Sequence, residues 1–150
     1  MSYHKYAAAY VANVSPDDAR DYLAGVGLPV EHALFAAGET EDADENLLPI
    51  GFGDPDNDDV YCVDSDNGQV LYLGREDLST TYVSASPRLF DACLRVFEAE
   101  IDASEDDPED LSERLRLRLM EIDPTAFQED PGFWGNILFD VANGDYSVRG

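Results

Sequence analysis

The feature that most restricts the fold is a predicted β-hairpin in the middle of the chain. Segments Asp59–Asp64 and Gln69–Gly74 are rich in strand-forming residues and flank the turn sequence Ser65-Asp66-Asn67-Gly68. Asn-Gly adopts the positive φ angles of tight hairpin turns at little cost, so the two segments are predicted to pair antiparallel. Leu47–Phe52 and Thr80–Ser84, on either side of the hairpin, also suit strands. Since neighbouring strands with short connections usually pair, we predict an antiparallel meander of about four strands.

Helix starts are marked by Ser-Pro and Asp-Pro pairs on both sides of this predicted sheet. The Ser or Asp side chain can accept an unpaired N–H of the first turn, and Pro at the first helical position loses no needed donor. The pairs are Ser15-Pro16, Ser86-Pro87, Asp107-Pro108, Asp123-Pro124 and Asp130-Pro131.

Apolar residues recur at three- and four-residue steps after three of these pairs, which indicates amphipathic helices. The sets are Ala19, Tyr22 and Leu23; Leu89, Phe90, Cys93, Val96, Phe97 and Ile101; and Trp134, Ile137, Leu138 and Val141, with Gly144 as a stop signal.

The segment Leu111–Ile122 has two readings. Leu115, Leu117 and Leu119 alternate with arginines, as in a strand, whereas the four-residue spacing of Leu111, Leu115 and Leu119 suits a helix. Its residues are good helix formers, so we predict a helix. The whole pattern predicts an α+β domain over residues 1–150, with an N-terminal helix, the meander and three C-terminal helices.

The charge balance excludes several functions. The chain carries 33 acidic and 9 basic residues, a formal net charge of −24. The excess is even, with 9 acidic and 2 basic residues in 1–50, 11 and 3 in 51–100, and 13 and 4 in 101–150. Such a chain repels nucleic acid and anionic membranes and attracts basic proteins. Solubility or salt adaptation is the alternative explanation.

Candidate catalytic residues are few. His4 and His32 are the two histidines, and no nucleophile-elbow motif surrounds any serine. Cys62 and Cys93 fall on a predicted strand and on an apolar helix stripe, so we expect both to be small buried side chains. The glycines lack the spacing of a phosphate-binding loop. We therefore expect no enzymatic activity and no cofactor.

Four aspartates, Asp54, Asp56, Asp58 and Asp59, form the densest acidic group. The segment resembles the start of a calcium loop, but its sixth residue is Asp59 instead of Gly and its twelfth is Ser65 instead of Glu. We predict no metal site, and weak calcium binding remains an alternative.

Targeting signals are missing from the sequence. The longest apolar runs are far below the ~20 residues that a membrane-spanning helix needs. The start, Met1–Lys5, lacks a signal-peptide pattern, and two cysteines indicate no disulfide framework. We expect a cytoplasmic protein without a membrane partner.

The order of several short motifs resembles the SUKH superfamily. They are Gly27-Leu28-Pro29, Leu48-Pro49-Ile50-Gly51, Val63-Asp64 with Asn67-Gly68-Gln69-Val70, and Tyr82-Val83-Ser84-Ala85-Ser86 with Leu89, Phe90, Leu94 and Phe97. The end is similar to the fourth SUKH subgroup, through Ile122-Asp123-Pro124, Ala126-Phe127, Phe133-Trp134, Ile137-Leu138 and Gly144. The likeness begins near Val14. It departs at Ser84-Ala85-Ser86-Pro87, where the family usually has an Asn-Ser-Ser-like step.

This resemblance implies a non-catalytic bacterial immunity protein that binds a cognate toxin, often a nuclease or a nucleic-acid deaminase. A basic toxin domain would suit the negative charge, because opposite charges steer association. We expect Asp54, Asp56, Asp58 and Asp59 to form part of the partner-binding surface. An adaptor of the same fold with an endogenous partner is the alternative.

Overall fold

The computed structural model describes residues 2–40, 46–53, 59–74, 79–103, 107–129 and 132–144. Within these ranges the chain forms strands, α-helices and one short 3₁₀ helix. In chain order they are β1 (Tyr3–His4), α1 (Asp17–Gly25), β2 (Leu28–Pro29), β3 (Ala36–Ala37), β4 (Leu47–Phe52), β5 (Val60–Asp64), β6 (Val70–Leu73), β7 (Thr80–Ser84), α2 (Pro87–Ala103), α3 (Pro108–Ile122), the 3₁₀ helix (Pro124–Phe127) and α4 (Gly132–Ala142).

The main sheet is an antiparallel meander in the order β3-β4-β5-β6-β7. This confirms the predicted α+β class and the four predicted strands, and it adds one strand, β3. That strand has only two residues, Ala36 and Ala37, which pair with Phe52 and Gly51. A two-residue strand is too short to show an alternating pattern, so its sequence gives no signal.

The central hairpin turns where Asn67-Gly68 predicts it. Asp64 N–H donates to the carbonyl of Gln69, and Gly68 N–H donates to the carbonyl of Asp64, each at 2.8 Å. Gly68 has a φ of +78°. A Cβ there would lie 3.0 Å from the side chains of Ala19 and Pro16, so the turn also packs closely against the start of α1.

A second, two-stranded sheet was not predicted. Tyr3 and His4 pair antiparallel with Pro29 and Leu28, which brings the N-terminal strand beside the end of α1. Gly27 makes this pairing possible, because its φ is +82° and a Cβ would lie 2.0 Å from the carbonyl oxygen of His4.

The predicted helices are confirmed, including the ambiguous segment. In α3, Leu111, Leu115 and Leu119 are buried, while Leu117 is 61% exposed. The leucines at four-residue spacing therefore face the core, and the alternating leucine–arginine pattern has no structural counterpart.

The core lies between the helices and the sheet, where helix side chains contact sheet side chains, as in the ring pairs Tyr61–Phe90 (5.5 Å between centroids) and Tyr61–Phe133 (5.7 Å). Trp134 is completely buried.

The predicted caps are only partly confirmed. Ser86 Oγ accepts the N–H of Leu89 at 3.2 Å, and Asp123 Oδ1 accepts the N–H of Thr125 at 3.0 Å. Asp107 stands at the N-cap of α3, but its side chain makes no cap hydrogen bond among the described residues. Asp123-Pro124 starts the 3₁₀ helix instead of an α-helix, and Asp130-Pro131 lies outside the described residues.

Candidate functional site

His32 is a buried structural residue. Its side chain is fully buried, its Nδ1 accepts the N–H of Leu34 at 3.0 Å, and its Nε2 lies 2.7 Å from the carbonyl oxygen of Leu94. Because Nδ1 accepts, Nε2 carries the proton and donates to that carbonyl. The ring therefore joins the loop before β3 to α2.

His4 lies at the surface in β1. Its Nε2 is 2.8 Å from Glu39 Oε2, and its ring meets the ring of Tyr6 edge-on at 4.8 Å between centroids. The polar side-chain contacts of His4 and His32 in the described part of the chain include no serine or cysteine. The two histidines therefore form no nucleophile–base pair with the described residues.

Both cysteines are buried, as predicted. Burial raises the pKa of the Cys93 thiol from 9.0 to about 12, and the charge of Asp123 adds to the shift. The thiol is therefore protonated at neutral pH, and the thiolate form that acts as a nucleophile is absent.

The acidic segment is only partly within the described chain. Asp54, Asp56 and Asp58 lie outside the described residues, and Asp59 immediately precedes β5. Asp59 is half-buried, and its Oδ2 accepts the hydroxyl proton of Tyr72 at 3.0 Å. Asp59 is thus already hydrogen-bonded within the fold, and the role of the four aspartates in partner binding stays a prediction.

No metal centre is found in the described ranges, which contain no cluster of three or more His, Cys, Asp or Glu side chains arranged to hold an ion. Likewise, none of the described helices combines the length and the apolar character that crossing a membrane requires.

Asp91 and Asp123 are the two buried acidic residues of the described structure, and Asp91 stands in a polar cluster. The carboxylate is 1% exposed on α2 and accepts hydroxyl protons from Tyr3, at 2.7 Å, and from Tyr22. Arg95 Nη2 lies 3.5 Å away on the other side. Tyr3, Tyr22, Asp91 and Arg95, together with Val26, line an open cleft of about 450 Å³.

The polar groups of this cluster stabilise the fold. Burial, followed by the hydrogen bond to Asp91, raises the pKa of Tyr3 to about 12 and also raises the pKa of Tyr22. Both phenols are therefore protonated at neutral pH and donate to Asp91, whose charge is compensated within the fold. The cluster ties β1 and α1 to α2. Asp91 borders the apolar stripe of α2, one residue after Phe90 and three before Leu94, and this position was the sequence signal for a buried carboxylate.

The arginines of α3 form no continuous basic surface. Arg114 Nε and Arg118 Nη1 contact the same carboxylate, Glu100 of α2, at 2.7 and 3.0 Å. The guanidinium of Arg116 lies over the ring of Phe127, 4.8 Å from its centroid. Arg114 and Arg118 thus share an acidic partner on the neighbouring helix. One helix thereby stabilises the other.

The outer side of α3 and α4 carries a shallow groove of about 350 Å³. We call it the α3–α4 groove; it is lined by Glu109, Ser112, Glu113, Arg116, Gly135, Leu138, Phe139 and Ala142. Ser112 Oγ donates to the carbonyl oxygen of Leu138 at 2.8 Å, and this hydrogen bond joins α3 to α4 within the groove. At its edge Phe139 is 68% exposed, more than any other large apolar side chain in the described structure.

The sequence contained a signal for Phe139 that we did not use. A helix turns about 100° per residue, which places Phe139 roughly 140° from Trp134 and away from the apolar stripe of α4. A large apolar residue on the polar side of an amphipathic helix has no core position to fill. Such a residue is a candidate for contact with another molecule.

Comparisons with known proteins agree with the motif order. A family model described as SUKH-4 immunity protein matches residues 4–140. The match confirms the resemblance to the fourth SUKH subgroup and extends it from Val14 to the N-terminal strand. No curated protein and no solved structure matches the chain.

Proposed function

The chain belongs to the SUKH-4 immunity protein family, and from this we propose that it neutralises one cognate protein toxin by binding it, without catalysing a reaction. The observation that carries the proposal is the family match, which spans residues 4–140 and so covers the whole fold described above except Tyr3 of β1 and the last two residues of α4.

The described side chains support binding over catalysis. Three groups that could act as a nucleophile or a base stabilise the fold: His32 holds a loop to α2, Asp91 accepts two tyrosine hydroxyl protons, and Cys93 is buried and protonated. These three residues hold the fold together. The protein surface carries a few exposed apolar side chains and many carboxylates, which suit the apolar centre and the polar rim of a protein interface.

The net charge supports a basic partner. At −24, the protein attracts a positively charged domain over distances longer than a contact, and such attraction speeds association. A toxin that acts on nucleic acid needs a cationic surface to hold phosphates. We therefore propose that the toxin is a nucleic-acid-targeting domain and that this protein covers its cationic surface.

The place of action follows from this proposal. A toxin that attacks nucleic acid has to be blocked where the nucleic acid of the producing bacterium lies. We therefore propose that the complex forms in the bacterial cytoplasm. We further propose that Asp54, Asp56, Asp58 and Asp59 contribute charge to the interface, because the sequence places four carboxylates within one short segment between β4 and β5.

Co-expression tests the proposal. The toxin domain encoded beside this gene is placed under an inducible promoter, with and without this protein, and growth is followed after induction. We expect full growth only with the protein, and a complex of the two chains that survives size-exclusion chromatography. A catalytically inactive toxin serves as the control for expression burden. Growth arrest in both cultures, with no complex recovered, would contradict the proposed function.

A further inference from the structure

We propose that the α3–α4 groove, together with the neighbouring face of α3, is the surface that receives the toxin, and that it does so through an apolar side chain flanked by Lys or Arg. This inference rests on the proposed function, because it commits the groove to one occupant, the cognate toxin domain.

Exposed apolar side chains are concentrated on this face. Five large apolar side chains are exposed among the described residues, and three of them, Leu117, Met120 and Phe139, belong to α3 and α4. The other two, Val26 and Phe52, lie elsewhere, at the end of α1 and the end of β4. Single exposed apolar residues are normal, but a group of them marks an interaction site.

The three side chains lie on a continuous path. Phe139 and Arg116 both line the groove. Along α3, Met120 follows Arg116 by four residues and Leu117 by three, the spacings at which helical side chains are neighbours. Leu117 points almost directly away from the buried row of Leu111, Leu115 and Leu119, so the path runs from the groove onto the outer face of the helix.

The polar rim calls for a cation. Glu109 and Glu113 line the same groove and are both exposed. Neither carboxylate has a hydrogen bond or an ion pair with any described residue. Arg116, the arginine that lines the groove, forms no ion pair with either carboxylate, and its guanidinium lies over the ring of Phe127, 4.8 Å from the ring centroid. A partner that covers Phe139 and brings Lys or Arg within reach of Glu109 and Glu113 would satisfy both components of the surface.

A second copy of the chain fits this surface poorly. In a two-fold symmetric dimer the same patch meets itself. Glu109 and Glu113 of both copies would then approach one another, in molecules that each carry a net charge of −24. The charge therefore favours a different, basic partner.

The residue that we expect to dominate the affinity is Phe139. Covering it would remove on the order of 100 Å² of apolar surface from water. Aromatic anchors at interface centres typically cost more than 2 kcal/mol when truncated, so Phe139→Ala should weaken toxin binding by at least about 30-fold, mainly through faster dissociation. Because the side chain is exposed, the midpoint of urea unfolding should stay close to that of the wild type.

The two carboxylates should act on the association rate. The double variant Glu109→Gln, Glu113→Gln should slow association several-fold at low salt and reduce its salt dependence, as rim charges do. Two matched controls separate local from general effects. Val26→Ala truncates an exposed apolar side chain that belongs neither to the groove nor to the acidic segment between β4 and β5, and Glu31→Gln with Glu129→Gln removes the same two charges from other exposed positions. Both variants should bind within about twofold of the wild type.

Surface plasmon resonance with immobilised, catalytically inactive toxin gives both rates, and sedimentation velocity gives the oligomeric state. Wild-type binding together with unchanged affinity of Phe139→Ala would overturn the groove proposal while leaving the proposed function intact. Failure of the wild type to bind would overturn both. A wild-type dimer that Phe139→Ala converts to a monomer would assign the groove to a second copy and contradict the proposed occupant.

Discussion

Replacing Asp91 by Ala should cost far more stability than the same change at the surface. The Asp91 carboxylate is 1% exposed and accepts two hydroxyl protons, from Tyr3 at 2.7 Å and from Tyr22. Hydrogen bonds to a charged group contribute about 1.5–3 kcal/mol each. In Asp91→Ala the hydroxyl of Tyr22, a residue only 5% exposed, loses its acceptor. Two such hydrogen bonds give an expected loss of about 3–5 kcal/mol in the free energy of unfolding.

The matched control is Asp18→Ala. Asp18 pairs with Arg88 at 3.1 Å, but its side chain is 62% exposed. Exposed ion pairs contribute about 0–1 kcal/mol, so this variant should lose less than about 1 kcal/mol. Both changes remove one negative charge from a chain of net charge −24, so any relief of general repulsion is the same in the two variants.

Urea unfolding followed by circular dichroism measures the difference, and a double-mutant cycle identifies its source. Tyr22→Phe alone should cost about 1.5–3 kcal/mol, but almost nothing when Asp91 is already Ala, because the acceptor is gone. If Asp91→Ala and Asp18→Ala lose the same stability, or if the two substitutions at Tyr22 and Asp91 are additive, the account of a buried, compensated carboxylate is wrong.

Three further predictions follow from the fold and its charge. Gly27→Ala should lower the free energy of unfolding by more than about 2 kcal/mol and weaken the pairing of β1, because the φ of +82° and the 2.0 Å approach to the His4 carbonyl oxygen both exclude a Cβ. Unchanged protection of the β1 amides in hydrogen exchange would contradict this. The raised pKa values of Cys93, from 9.0 to about 12, and of Tyr3, from 10.0 to about 12, mean that the folded state holds protons the unfolded state releases, so stability should be intact below pH 9 and fall between pH 9 and 12. Urea titrations across that range, with Cys93→Ala as the variant that should lose less, measure this, and a flat profile would refute it. Replacing Asp54, Asp56 and Asp58 together by Asn should slow toxin association at low salt and leave dissociation unchanged. An unaltered association rate would show that these three aspartates do not contribute to the interface.

The parts of the fold that local chemistry determines could be predicted. Asn67-Gly68 fixes the hairpin because its turn preference is intrinsic, and the four-residue leucine spacing of α3 matches the turn of a helix. Strands β1, β2 and β3 could not be predicted, since each has two residues and exists only because a distant segment, such as Leu28–Pro29 for β1, lies beside it.

The candidate site divides in the same way. The buried state of Cys62 followed from its place on a predicted strand, and that of Cys93 and Trp134 followed from their places on apolar helix stripes. The acceptor role of Asp91 depends on hydroxyls that reach it from residues 69 and 88 positions away, which no local pattern contains. The exposure of Phe139 could be predicted, because it is an apolar residue outside the apolar stripe of α4. The groove that it lines could not, because that groove exists only where α3 packs against α4.

We propose above all that this protein neutralises its toxin by binding it and does not catalyse a reaction. Titrating a fixed amount of active toxin with the protein, and measuring the remaining toxin activity, tests it directly. We predict that activity falls linearly to zero at one molecule of protein per molecule of toxin. Inactivation of the toxin by far less than one equivalent would indicate turnover, and undiminished activity at a large excess would indicate no binding; either result would contradict the account.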